Sequence, residues 1–82
     1  MAGSLTVTPA DLLAFEAAYP TPSPARDELI RTQLRISPVR YTVLLLRAAA
    51  SRDGIAADPF TARRVRERRE RSARVRERRS AA

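Results

Sequence analysis

"LRISPVRYTVLLLRAAAS", residues 34–51, decides how this chain is read. Ser37-Pro38 is a helix start. The serine hydroxyl can take one of the free N–H groups of the first turn, and proline suits the first helical position, where no N–H is needed. Beyond it, Tyr41, Leu44, Leu45 and Ala48 make one apolar stripe at helical spacing, and Val39, Val43, Leu46 and Ala50 make another. The polar positions are Arg40, Thr42, Arg47 and Ser51. A helix apolar on most sides is expected to be central and buried. The helix that covers its second stripe is then either the C-terminal one or a second subunit.

The same start recurs in both directions from this stretch. Thr8-Pro9 opens a helix to about Tyr19, with Asp11 placed to close a capping box. Leu12, Phe15 and Tyr19 share its apolar face, with Leu13 and Ala17 beside them. "YPTPSP" (19–24) ends it. Ser23-Pro24 opens a short second helix to near Leu34, with Asp27 and Glu28 in its positive first turn and Leu29, Ile30 and Leu34 along its apolar edge. "RDGIAAD" (52–58) predicts a turn centred on Gly54, and Asp58-Pro59 opens a last helix. No stretch alternates like a strand. The fold class is therefore all-α: a small helical domain with a helix-turn-helix-like core and a long basic C-terminal helix. The expected division is an N-terminal arm (1–7), a three-helix core (8–58) holding the helix-turn-helix-like pair at about 24–51, and an arginine-rich helix or tail (59–82).

The formal charge of +7 is concentrated at one end. Residues 1–60 hold six arginines and six acids; residues 61–82 hold ten arginines and three glutamates. Every basic residue is arginine, the side chain whose planar fork matches phosphate. Val65-Arg66-Glu67-Arg68-Arg69 recurs at Val75-Arg76-Glu77-Arg78-Arg79, a spacing near three helical turns, so the copies share a face. Glu67 with Arg71 and Glu70 with Arg74 are favourable i,i+4 pairs. Repulsion among the arginines and the lack of an apolar stripe predict a helix to about residue 72 that frays beyond unless a polyanion neutralises it.

Several classes are excluded on composition. Without histidine, cysteine, a glycine-rich phosphate loop or a cluster of metal ligands, the chain is read as not an enzyme and as needing no cofactor. The acids Asp11, Asp27, Glu28 and Asp58 stand where helix N-termini attract them. "MAGSLTVTP" lacks a signal-peptide pattern, and "VLLL" (43–46) is too short to span a bilayer, so the expected location is the cytoplasm, with no membrane partner.

A helix-turn-helix template laid from Asp27 puts its apolar positions on Ile30, Leu34, Ile36, Tyr41 and Leu44. Two positions misfit: Arg31 stands for a small residue, and Arg35 for the turn glycine. "LRISPVRYTVLLLRA" resembles the DNA-binding helix pair in region four of bacterial sigma factors. The blocks Phe15-Glu16, Ile36-Ser37-Pro38, Arg40-Tyr41, Leu45 and Ala57-Asp58-Pro59, with the arginine-rich end, resemble a small actinobacterial and actinophage family known only as a domain of unknown function; the resemblance covers residues 12–79. It implies a compact helical domain with DNA as the expected partner, and it supplies no activity. The chain departs from its relatives where "AAYPTPSP" replaces tryptophans, and where Thr42, Val43 and Leu46 replace more polar residues.

The expectation is a small double-stranded-DNA-binding, transcription-associated regulator. Its phosphate contacts would come from Arg63, Arg64, Arg66, Arg68, Arg69, Arg71, Arg74, Arg76, Arg78 and Arg79, and contacts from helix three from Ser37, Arg40, Thr42 and Arg47. Arg40 and Thr42 are the best candidates for touching bases. The tail lacks the aromatic rings that single-strand and sequence-specific RNA binding use. The rival expectation is an adaptor that docks its basic helix on an acidic protein partner, such as a surface of RNA polymerase, and packs apolar helix three against it. A homodimer is a further use for that apolar face.

Overall fold

The Thr8 hydroxyl accepts the Asp11 N–H (3.1 Å), and the Asp11 carboxylate accepts the Thr8 N–H (3.0 Å). This closed capping box launches α1 (Pro9–Ala18). The computed structural model describes residues 7–81. Of the expected N-terminal arm only Val7 falls among them; it is half-buried and packs on the core.

Each expected start is present. Ser23 caps α2 (Pro24–Leu29) by accepting the Arg26 N–H at 3.0 Å. The helix then widens into a π-turn over Ile30–Leu34. Ser37 caps α3 (Pro38–Ala50) through the Arg40 N–H at 3.1 Å. Between them Arg35 adopts φ 59° and ψ 37°, the left-handed conformation. An L-residue pays roughly 1–2 kcal/mol there, and glycine pays none. The position that the helix-turn-helix template assigns to glycine thus has a backbone glycine would favour, with an arginine in it.

The segment expected to be a turn at Gly54 is instead a helix, α4 (Arg52–Ala57). Ser51 both ends α3 and begins α4: its hydroxyl donates to the Ala48 carbonyl (2.8 Å) and accepts the Gly54 N–H (2.9 Å). Gly54 is buried with normal helical backbone. It is needed for close approach, since a Cβ at Gly54 would lie 1.9 Å from the Ala48 carbonyl oxygen. Asp58 then caps α5 (Pro59–Ala81) by accepting the Thr61 N–H at 3.0 Å. Bonds from the Thr61 side chain and backbone hold the Asp58 carboxyl below its usual range.

The core gathers Leu12, Leu13 and Phe15 from α1, Ile30 from the π-turn, Tyr41, Leu45, Ala48 and Ala49 from α3, and Ala62 and Val65 from α5. Ala49 and Ala62 are fully enclosed, so α3 and α5 approach closely. The Phe15 ring meets Tyr41 edge-on at 5.4 Å. Full burial of a Leu, Ile or Val side chain contributes about 1.5–3 kcal/mol. This corrects the expected boundary at residue 58: the first turns of α5 complete the core, with Thr61, Ala62 and Val65 all buried. Of the two stripes on α3, only the one through Tyr41, Leu45 and Ala48 is buried. Val39 is 77% exposed and Val43 45%, so α5 leaves the N-terminal half of the second stripe uncovered, while Leu46 is half-buried beside it. On α1, Ala17 and Tyr19 are also exposed.

Helix α5 continues to Ala81, past the expected fraying point near residue 72. Its 23 residues make a rod of about 35 Å and give the molecule a long axis of 53 Å. Arginine, glutamate and alanine are all good helix formers, which is the local reason for its length. The expected pairs Glu67–Arg71 and Glu70–Arg74 are not closed; Arg63–Glu67 is, at 3.4 Å.

Candidate nucleic-acid interface

A buried polar cluster decides which arginines are free. Glu16 sits on the apolar face of α1, 2% exposed. A lone carboxylate there needs partners, because desolvation without them is costly. It has three. Its Oε1 accepts from the Tyr41 hydroxyl (2.8 Å) and the Arg26 guanidinium (3.0 Å), and its Oε2 from the Arg68 guanidinium (2.8 Å). Arg26 is itself 8% exposed, donates to the Tyr19 carbonyl (2.9 Å) and lies over the Tyr41 ring at 5.2 Å. Burial, then the bond to Glu16, pushes the Tyr41 hydroxyl pKa well above its ordinary value. Among the described residues no buried side-chain polar atom lacks a partner.

This cluster takes Arg68 out of the expected phosphate-binding set as a free cation. Arg68 also reaches the Pro20 carbonyl at 3.4 Å. Arg66 is engaged too: it donates to the Ala49 carbonyl at the C-terminal end of α3, where cations are favoured. Arg63 pairs with Glu67, and Arg64 donates to the Thr61 hydroxyl at 3.4 Å. The remaining six, Arg69, Arg71, Arg74, Arg76, Arg78 and Arg79, are exposed, and none has a hydrogen-bond or ion-pair partner among the described residues. The division falls between Arg68 and Arg69, where α5 leaves the core.

On α3, Ser37 is committed as a cap, while Arg40 and Arg47 are exposed. Thr42 is exposed and donates its hydroxyl back to the Pro38 carbonyl at 3.2 Å. The fold brings Thr42 to the arginine helix. Between α3 and α5 lies an open groove of about 400 Å³, walled by Thr42 and Leu46 on one side and by Arg68, Arg69, Ser72 and Arg76 on the other. No acidic residue lines it. A second groove of about 330 Å³ between the same two helices is lined by Leu46, Ala50, Arg66, Arg69, Glu70 and Ala73. Arg40 and Arg47 line neither groove.

Sequence reasoning missed Glu16 and Arg26 as a site-organising pair. The signal for Glu16 was present: an acid one turn from Leu12 and Leu13 on the face that buries them. Arg26 had none, because its role depends on α1 and α2 meeting.

Fold and surface together define a small all-α domain with a cationic helical arm. Among the described residues no helix is long and apolar enough to cross a membrane, and no cluster of acids could hold a metal ion. The sequence pattern of the family described as "Protein of unknown function (DUF3263)" matches residues 4–79, and the chain belongs to that family. No curated protein and no solved structure matches it.

Proposed function

We propose that the domain binds double-stranded DNA, as a small transcription-associated regulator, through phosphate contacts from the free arginines of α5. The carrying observation is that six unpartnered arginines stand on the part of α5 beyond the core, against only two glutamates, Glu70 and Glu77. Neutralising a dense row of phosphates releases counterions, and that release drives binding. From Thr61 onward no aromatic residue is available for base stacking, which favours a duplex. Arg40 and Thr42, exposed on the first turns of α3, are the candidates for base contacts. The left-handed Arg35 between the second and third helices supports a helix-turn-helix-like reading of that pair.

Fluorescence anisotropy with a labelled duplex over a salt series tests this. If all six free arginines reach phosphates, log K falls against log salt with a slope of about −5. Replacing the six by glutamine should remove binding while the thermal transition stays in place. Binding retained by that variant would overturn the proposal.

A second reading is favoured by the exposed Val39 and Val43, which suit protein contact better than a DNA groove. On it the chain is an adaptor, its apolar α3 face and basic arm docking on an acidic surface of a larger assembly such as RNA polymerase. Its mark is failure to bind any duplex, combined with saturable binding to a defined protein that Val43→Asp abolishes.

A further inference from the structure

The free arginines do not form one face. Helical geometry turns the chain 100° per residue, so Arg69 and Arg76 lie on the side toward α3, and Arg71 and Arg78 lie about 200° further round. The two pairs carry the same charge, and each spans seven residues. Arg69 and Arg76 line one groove together, with no acid in its wall, whereas Arg71 borders a smaller hollow that Glu16 and Glu67 also line. Resting on the DNA-binding reading, we propose that the groove between α3 and the overhanging half of α5 seats one strand of a polynucleotide backbone, while the outer arginines only add to the field.

Several observations meet in this groove. Its wall on α5 is cationic and its wall includes no acid, so potential is concentrated there rather than spread over an open rod. Arg69 and Arg76 stand about 10 Å apart along the helix, a separation at which their long side chains can reach different phosphates of one strand. Ser72 lies between them on the same wall and has no hydrogen-bond partner for its hydroxyl among the described residues, so it can donate to a phosphate of that strand. Opposite stands Leu46, half-buried, an apolar surface suited to the sugar face of a strand and of no use to a free phosphate ion. Arg68, already bonded to Glu16, forms part of the same wall and leaves Arg69 and Arg76 as its free cations.

The test compares substitutions of equal charge in the full-length chain against a short random-sequence duplex. Arg69→Ala/Arg76→Ala should weaken binding by at least about tenfold, the loss expected from two charge-assisted contacts, and Arg71→Ala/Arg78→Ala by less than about threefold. Ser72→Leu, which fills the groove and leaves the charge unchanged, should weaken binding like the first pair. All these side chains are exposed, and circular dichroism verifies that each variant is folded. Equal losses from the two arginine pairs, or no loss from Ser72→Leu, would overturn the groove as the seat and leave DNA binding standing. If the unaltered chain does not bind the duplex, the functional reading fails instead. The groove is then judged with inorganic phosphate: selective shifts of the Arg69 and Arg76 Nε–H signals retain an anion seat, and uniform shifts along α5 remove it.

Discussion

A guanidinium nitrogen of Arg68 lies 2.8 Å from Oε2 of Glu16, so the basic helix is fastened to α1 by one of its own charges. The two residues are 52 positions apart. Glu16 also holds Arg26 and Tyr41, and its loss strands a nearly buried cation and a buried hydroxyl together. Glu16→Ala should cost about 3–5 kcal/mol in urea unfolding, as removal of one partner of a buried ion pair does. Arg68→Ala should cost about 1 kcal/mol or less, because the Arg68 side chain is 44% exposed and Glu16 keeps two partners. Equal costs would show that Glu16 is not the hub.

The Tyr41 hydroxyl gives the domain an alkaline limit. Its folded pKa lies above the ordinary value of 10.0, so the folded chain keeps the proton where the unfolded chain releases it. Stability from this source is full below about pH 10 and declines as pH rises further. The chain has no lysine, histidine or cysteine, and arginine stays charged, so few other side chains interfere. Melting temperature should fall above about pH 10, and Tyr41→Phe should flatten the fall. Asp58 acts with the opposite sign: its depressed pKa contributes stability above the ordinary 3.8, which is lost as pH drops below it.

Gly54→Ala should destabilise, although alanine is the better helix former by about 1 kcal/mol. The new Cβ would meet the Ala48 carbonyl oxygen at 1.9 Å, forcing α3 and α4 apart. A net loss of at least about 1–3 kcal/mol is expected. A more stable variant would mean the approach can relax freely.

Arg35→Gly should act the other way. Relief of the left-handed backbone outweighs glycine's extra freedom in the unfolded chain, for a net gain of up to about 1 kcal/mol. Differential scanning calorimetry of the two proteins decides it, and a lower melting temperature for the variant would refute it.

What could be read in the residues was local. The starts at Pro9, Pro24, Pro38 and Pro59 were legible because a cap and a proline act within one turn. The burial of Leu45 and exposure of Arg40 followed from helical spacing. Gly54 misled because glycine usually signals a turn, and its reason here is an approach to Ala48 that exists only after α3 and α4 pack. The core boundary was set too early because Thr61, Ala62 and Val65 stand within an arginine-rich segment whose composition reads as solvent-facing. The arginines looked alike in sequence; only contacts with Glu16 and the Ala49 carbonyl separate Arg66 and Arg68 from the free ones.

That separation has a bearing on how such a chain can change over generations. Drift at positions 61, 62, 65, 66 and 68 is answerable to folding, since each is buried or bonded to another helix. Drift at the exposed positions from 69 onward meets no such check, and an arginine lost there leaves the packed interior as it was. On the duplex-binding reading proposed above, binding strength is then open to retuning by single codons at the far end of α5, and a lineage could reset the salt range in which its protein works without first acquiring a more robust fold.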